Sequence, residues 1–173
     1  MTSLLRSPLR LIARLTAPER VYAHCDIPCG IYDPHLAQIG ALTVVRMNQL
    51  IEALGAIPDT GNKADLDKFG NSFSRYVTVK EEHAELVKRE VRIIWGDYFK
   101  PEHLEKHPEL HKITWNILKL ASKARQEVNM QAAQDLLADV QKFAEIFWAT
   151  KEVQTRRQPS KQTAGGELVY PVA

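Results

Sequence analysis

Cysteine is almost absent from this sequence, which has two in 173 residues. Two thiols are too few to build the disulfide framework of a small secreted domain. Apolar runs are short as well, and none approaches the ~20 residues that a membrane-spanning helix requires. We therefore expect no stable membrane insertion, and we expect the protein in the cytoplasm.

A large excess of one charge is also missing. The chain has 23 Lys and Arg residues against 21 Asp and Glu residues, a net charge of +2. The basic excess lies in residues 1–23, which contain four arginines and one glutamate. The rest of the chain is close to neutral and lacks the basic footprint of a nucleic-acid-binding domain, so no nucleic-acid partner is expected.

Residues 1–23 have the composition of a leader. Arg6, Arg10 and Arg14 recur at every fourth position, so a helix would place them on one face. This Arg-rich, acid-poor pattern is typical of transit peptides, and it also fits a helix that touches an anionic membrane or a disordered basic tail. The small residue Ala23 ends the segment. We interpret residues 1–23 as a leader that is removed on maturation, and its basic character keeps targeting to an organelle open as a second location.

The remainder of the chain is dominated by helical periodicity. Apolar residues recur every three or four positions in four stretches, 35–54, 66–98, 111–124 and 131–151. Breaks with proline or glycine separate them, including a predicted loop bounded by Pro101 and Pro108. No stretch alternates apolar and polar residues as a strand would. The predicted fold class is all-α, an antiparallel four-helix bundle over residues 35–157.

Two ends of this bundle are predicted to be irregular. An N-terminal hook at residues 24–34 precedes the first helix, because Pro28 and Gly30 should turn the chain there. Residues 158–173 contain Pro159, Gly165 and Gly166, and we expect a flexible tail.

The hook holds the most informative segment of the chain. Residues 24–32 read His-Cys-Asp-Ile-Pro-Cys-Gly-Ile-Tyr and contain both cysteines, Cys25 and Cys29, four residues apart. His24 directly precedes the first thiol. Two thiolates and one imidazole can thus converge on one small volume, as a soft-ligand metal site or as a redox dithiol.

The ligands that each kind of site requires help to distinguish a metal site from a redox dithiol. A structural zinc site usually takes two cysteine pairs, and only one exists here. A thioredoxin-like dithiol requires Cys-x-x-Cys in a βαβ context, whereas this spacing is Cys-x-x-x-Cys without predicted strands. Mixed thiolate and nitrogen donors in a planar arrangement suit Ni(II) or Cu(II). Backbone nitrogens could complete such a site, one of them a terminal amine if the chain begins at His24. A simple disulfide or two inert thiols stay open as alternatives.

The sequence resembles the nickel superoxide dismutase family. The family's mature amino terminus, His-Cys-Asp-x-Pro-Cys-Gly-x-Tyr, is complete at residues 24–32 and is followed by Asp33-Pro34. The resemblance spans about residues 24–151. Further matching segments follow in order: Lys80-Glu81-Glu82-His83-Ala84-Glu85-Leu86, Trp95-Gly96-Asp97-Tyr98-Phe99-Lys100-Pro101, Pro108-Glu109-Leu110-His111 and Ile146-Phe147-Trp148-Ala149-Thr150-Lys151.

The resemblance implies a specific site and reaction. It implies that superoxide is disproportionated to dioxygen and hydrogen peroxide by one nickel ion per subunit, which alternates between Ni(II) and Ni(III). The implied ligands are the His24 amine, the Cys25 amide nitrogen and both thiolates, with the His24 imidazole as an axial ligand in the oxidised state. Asp26 and Tyr32 are implied to line the approach of the substrate, and Tyr98 to lie near the same site or in the core. A dedicated protease that cuts after Ala23 and a homohexamer of four-helix bundles are implied as well.

Two positions depart from the better-known members of that family. Those members have a glutamate where this chain has Gly40 and an arginine where it has His83, and the two side chains orient the axial imidazole. We expect His83 to approach the His24 ring in their place. Two other functions stay open from the residues alone: a nickel or copper carrier without turnover, and a helical interaction module with a redox-labile cysteine pair.

Overall fold

The computed structural model describes residues 30–172 of the chain, and the structural statements below concern these residues. Four long helices and one short one account for most of them. Helix α1 spans His35–Ala53, α2 Lys63–Ile93, α3 Pro101–Lys106, α4 Leu110–Gln126 and α5 Met130–Thr150. A π-helical turn, Ile94–Tyr98, continues α2, and two strands follow α5: β1 at Thr155–Pro159 and β2 at Glu167–Pro171.

Local sequence signals set where the long helices begin. Asp33 Oδ1 accepts a hydrogen bond from the backbone N–H of His35 at 2.7 Å, directly before the first turn of α1. Asn62 caps α2 and Asn129 caps α5, each through its side-chain oxygen. Such caps satisfy backbone N–H groups that have no partner inside the helix.

The four long helices form the predicted bundle. Helix α1 packs against α2 and α5, and α4 packs against the same two helices, so each long helix has two neighbours. The interior is apolar and includes Val44, Val87, Val91, Leu110, Ile117, Leu136, Val140, Phe143 and Phe147. The four-helix bundle is therefore confirmed. Among the described residues, no helix is both long enough and apolar enough to cross a membrane.

A buried lysine closes one end of the bundle. Lys80 is 2% exposed, and its ammonium group donates to the carbonyl oxygens of Ala124 at 2.6 Å, Arg125 at 3.1 Å and Glu127 at 2.5 Å. These carbonyls end α4, where helical partners run out. Burial lowers the pKa of Lys80, while the nearby carboxylates of Glu81 and Glu127 oppose that shift. The side chain thus ties the middle of α2 to the turn between α4 and α5.

One loop expectation needs correction, and the end of α2 departs from a regular α-helix. The predicted loop between Pro101 and Pro108 contains the short helix α3, which starts at Pro101 because proline fits the first helical position. The end of α2 is not regular either. The N–H of Phe99 donates to the carbonyl of Ile94 at 3.3 Å, five residues earlier, which is the bond of a π-helical turn.

The expectation of a flexible tail from residue 158 is wrong for residues 158–172. Strands β1 and β2 form an antiparallel hairpin, with Arg157 opposite Val169. Leu168 and Val169 are buried at 1% exposure each, and Leu168 belongs to the main core. The boundary that we placed at residue 157 therefore falls inside β1. Burial of two apolar side chains keeps this segment on the bundle.

Glutamine side chains hold the hairpin in place. The amide of Gln38 on α1 donates to the Val169 carbonyl at 3.0 Å and accepts from the Val169 N–H at 2.7 Å. Gln141 on α5 donates to the Glu167 carbonyl at 2.6 Å. Both contacts lie on the side of β2 that faces away from β1, because Val169 would otherwise direct its N–H and C=O toward Arg157.

Candidate metal centre

The predicted ligands lie outside the described residues. His24, Cys25, Asp26 and Cys29 all precede residue 30, so their geometry stays a prediction. Among the implied ligands and the two residues implied to line the substrate approach, Tyr32 alone lies within the described residues. It is half-buried and packs against the core of the bundle.

Gly30 directly follows Cys29 and is the first described residue of the hook. Gly30 has a φ of 72°, in the left-handed region, and an added Cβ would meet no atom within 4 Å. Backbone conformation therefore explains the glycine after Cys29, since a side chain would be strained there even in open space. Two residues later the chain reaches Tyr32, and Pro34 is already buried.

Tyr32 rests on Tyr98, the last residue of the π-helical turn. Their ring centroids lie 5.6 Å apart with planes tilted by 52°. Tyr98 also contacts Phe147, at 4.7 Å between centroids, and Phe99, at 5.2 Å. Tyr98 was expected near the site or in the core, and the structure gives it both kinds of contact: core rings on one side and the hook tyrosine on another.

The hydroxyl of Tyr98 has a defined donor role. It lies 2.8 Å from Thr150 Oγ1, and Thr150 Oγ1 itself donates to the carbonyl of Phe147 at 2.7 Å. A hydroxyl has one proton, and Thr150 uses its proton on that carbonyl. Tyr98 is therefore the donor to Thr150, and this chain of hydroxyls fixes the ring against which Tyr32 packs.

A cation lies over the same rings. The ammonium nitrogen of Lys151 is 5.4 Å from the ring centroid of Tyr98, 4.9 Å from that of Phe147 and 5.8 Å from that of Trp148. Sequence reasoning assigned no role to Thr150 or Lys151. Both belong to the matching segment Ile146–Lys151, which is the signal that could have drawn attention to them.

The first residue of α1 contacts the hairpin of β1 and β2. The rings of His35, in the first turn of α1, and Tyr170, in β2, have centroids 5.7 Å apart. Tyr32 lies only three residues before His35. The last residues of the hook are therefore flanked by aromatic side chains from the π-helical turn after α2 and from the hairpin.

Gly40 lies at a close approach of α1 and α2. A Cβ at this position would lie 2.9 Å from Val87 Cγ2 and 3.2 Å from the backbone carbonyl oxygen of His83. Both distances are shorter than ordinary van der Waals contacts. No side chain fits here with the present spacing, so the glutamate of better-known relatives has no place in this helix pair.

His83 is half-buried on the facing side of α2. Its Nδ1 lies 2.8 Å from the carbonyl oxygen of Val79. A carbonyl only accepts, so Nδ1 carries the proton of this bond and Nε2 keeps a free lone pair in the neutral ring. His24 lies outside the described residues, so the approach of His83 to it stays a prediction.

Within residues 30–172, no group of three or more His, Cys, Asp or Glu side chains could hold a metal ion. Both cysteines lie in residues 1–29, outside this described part of the chain. Two thiolates with imidazole and backbone nitrogen donors fit Ni(II), which accepts soft sulfur together with nitrogen in a planar site.

Comparisons with known proteins agree with the motif. The profile of the nickel-containing superoxide dismutase family matches residues 19–151. A superoxide dismutase (Ni) of Streptomyces coelicolor is 38% identical over 143 residues, covering 82% of this chain and 99% of that protein. One of Streptomyces seoulensis is 36% identical with the same coverage. A 1.30 Å structure of native nickel superoxide dismutase has a TM-score of 0.61 and 38% identity, and the match covers 74% of this chain and 99% of that one.

The close approach at Gly40 leads to a stability prediction. Gly40→Ala should lower the free energy of unfolding by about 1 kcal/mol, because overpacking costs ~1–3 kcal/mol and the better helix propensity of alanine returns only ~1 kcal/mol. Gly70→Ala is the matched control. Gly70 lies in the same helix pair on α2 with nothing within 4 Å of an added Cβ, so that change should stabilise the protein. Urea unfolding of both variants tests the difference, and a stabilised Gly40→Ala protein would contradict the described packing.

Proposed function

The chain belongs to the nickel-containing superoxide dismutase family, and we propose that it disproportionates superoxide through nickel held by residues 24–29. The observation that carries this proposal is the complete nine-residue motif at His24–Tyr32 inside the family match. Two superoxide anions and two protons give one dioxygen and one hydrogen peroxide. The protein is thus an oxidoreductase with a nickel cofactor.

The proposed ligands are His24, Cys25 and Cys29, with one nickel ion per subunit. The free amine and imidazole of His24, the amide nitrogen of Cys25 and the two thiolates form the donor set. When bound, nickel supplies one-electron chemistry by alternating between Ni(II) and Ni(III). Anionic sulfur and amidate donors favour the higher charge, so the two cysteines tune the potential as well as hold the metal.

Asp26 and Tyr32 are proposed to line the approach of superoxide. Tyr32 is supported by the fixed ring of Tyr98, whose hydroxyl is engaged with Thr150. A tyrosine backed in this way keeps one position and can order water beside the hook. Its described contacts therefore favour a role in limiting access to small anions.

The group that orients the His24 imidazole is proposed to differ from that of better-known relatives. Position 40 cannot supply a carboxylate, because its Cβ would meet Val87 and His83. His83 offers a ring with Nε2 as its free nitrogen. We propose His83 as the group that orients His24 in the processed enzyme.

Maturation is proposed to require cleavage after Ala23. While Ala23 is attached, the nitrogen of His24 is a peptide amide, which has no basic lone pair at neutral pH. Cleavage by a dedicated protease would create the amine donor. The leader at residues 1–23, the hook at 24–34 and the bundle that follows would then be successive functional parts of the precursor.

A homohexamer is proposed as the assembled state, and α2 offers a surface for it. No side chain in residues 63–79 of α2 is buried within the chain, although this part carries an apolar stripe. Phe69 and Phe73 stack with centroids 6.0 Å apart, and Phe73 is 39% exposed. A second copy that covers this stripe would remove exposed aromatic surface from water.

The thiols provide the sharpest test of the metal mechanism. Replacing Cys25 or Cys29 with serine in the processed protein should abolish superoxide turnover and nickel retention, because a neutral hydroxyl is a poor ligand for nickel. The helical circular-dichroism signal should stay, since both cysteines precede the helices of residues 35–150 in the chain. Normal turnover in either variant would refute nickel ligation by the thiols and would favour another function for the motif.

The attached leader should prevent nickel binding, because it keeps the nitrogen of His24 in a peptide bond. Three forms can be compared with nickel present: the full chain, a chain in which a retained Met precedes His24, and a chain that begins at His24. Only the third should be active, because metal binding needs a deprotonated amine in place of a peptide amide. Turnover assays and intact-mass measurement check this. If the full chain matched the His24-initiated form in rate, the amine would not be a ligand.

The proposed interface on α2 can be tested by introducing a charged side chain into its apolar stripe. Phe73→Asp should reduce the mass of the assembly measured by light scattering, because a carboxylate would be buried against a second copy. Trp115→Asp on α4 is the control, since Trp115 is 61% exposed and lies outside the α2 stripe. A wild-type protein with the mass of one chain would disprove the hexamer, and equal dissociation by both variants would disprove a specific role for the stripe.

A further inference from the structure

An exposed ammonium group is held over the aromatic cluster that supports Tyr32. Lys151 Nζ lies within 6 Å of the ring centroids of Tyr98, Phe147 and Trp148. A cation at such a distance is attracted by the electron-rich face of an aromatic ring. Three rings together favour one location for a side chain that would otherwise sample many rotamers.

The backbone of Lys151 is fixed as well. It ends α5, where the N–H of Glu152 donates to Ala149 at 3.0 Å and the N–H of Val153 donates to Trp148 at 3.1 Å. This pair of bonds is a Schellman motif, and Glu152 occupies its left-handed position with a φ of 59°. The Schellman motif that ends α5 fixes the backbone of Lys151, and the three aromatic rings favour one position for its ammonium group over Tyr98.

The charge of Lys151 is not neutralised by an ion pair within residues 30–172. Other cations of the bundle are paired there, for example Arg157 with Glu145 at 2.7 Å and Arg125 with Glu85 at 2.7 Å. The side chain of Lys151 is exposed to solvent. Its charge is therefore available to anions in solution.

We propose that Lys151 is a steering residue that draws superoxide toward the hook. Tyr32, in contact with Tyr98, follows Cys29 by three residues, so the two Cα atoms are at most about 11 Å apart at ~3.6 Å per residue. The ammonium over Tyr98 thus lies beside the exit of the segment that carries both thiols. This inference rests on the proposed reaction, in which the substrate is a small anion.

The expected size of the effect follows from Coulomb attraction. One charge about 6 Å away in water raises the local concentration of a monovalent anion about two-fold after screening at physiological salt. Steering of this kind raises association rates, and it weakens as ionic strength increases. Loss of Lys151 should therefore act on kcat/KM at low salt.

Trp148 reports the local charge without nickel or turnover. In a Trp95→Phe/Trp115→Phe background it is the single remaining tryptophan of the chain. Lys151→Gln should lower fluorescence quenching by iodide about two-fold, by the same one-charge estimate, and leave quenching by neutral acrylamide unchanged. Lys119→Gln is the matched control, because it removes the same charge from another exposed lysine, on α4 and away from the end of α5. Equal iodide quenching with and without Lys151 would overturn the proposal.

Kinetics of the nickel-loaded, processed enzyme give the second measurement. Lys151→Gln should lower kcat/KM about two-fold at physiological salt and about three-fold at low salt, Lys151→Glu should lower it further, and Lys151→Arg should retain the wild-type value. The differences should vanish at 1 M salt, where the Debye length is ~3 Å. A loss that persists at 1 M salt, or an equal loss in Lys119→Gln, would overturn steering by Lys151. An inactive wild-type enzyme would instead refute the proposed reaction, while the iodide result would still report the local charge.

Discussion

The arrangement of this bundle depends on the close approach of α1 and α2 at Gly40. Only a residue without a side chain permits it, because Val87 and the His83 backbone occupy the space that a Cβ would need. Helix α1 continues directly from the hook, so its spacing from α2 also sets how Tyr32 meets the π-helical turn at Tyr98. The same contact leaves no space for a carboxylate side chain at position 40. A packing constraint in the core thus limits which side chains of α1 could orient His24 in the proposed site.

The helices could be predicted from the sequence, whereas the hairpin could not. Apolar residues at helical spacing reveal the four long helices, since each must bury one face. The β1 segment contains Arg156 and Arg157 and ends at Pro159, so it carries no strand signal. The hairpin is stabilised through β2 instead. Gln38, more than a hundred residues earlier in the chain, bonds to Val169, and Leu168 is buried. Contacts of such sequence separation leave no local pattern.

The sequence alone proposes ligands for the site, whereas it does not reveal the contacts of the described residues around the hook. The two thiols, the histidine before them and the proline and glycine beside them form one local motif, and the family resemblance assigns their roles. The pairing of Tyr32 with Tyr98 depends on a π-helical turn, and the position of Lys151 depends on how α5 ends. Two lysines illustrate the difference: Lys80 is buried and bound by three carbonyls, whereas Lys151 is exposed over rings. Composition alone cannot tell them apart.

The hairpin lies beyond residue 151, where the family match ends, yet the bundle is fitted to it. An isolated two-stranded ribbon exposes backbone groups along both edges and invites pairing with other chains. Here the outer edge of β2 is occupied by the amides of Gln38 and Gln141, and Pro171 has no N–H to offer. Removal of the hairpin would leave the buried Gln38 amide without its two partners. Gln38 and the C-terminal hairpin therefore depend on each other physically: loss of Gln38 alone would expose an aggregation-prone strand edge, and loss of the hairpin alone would leave an unsatisfied polar group in the core.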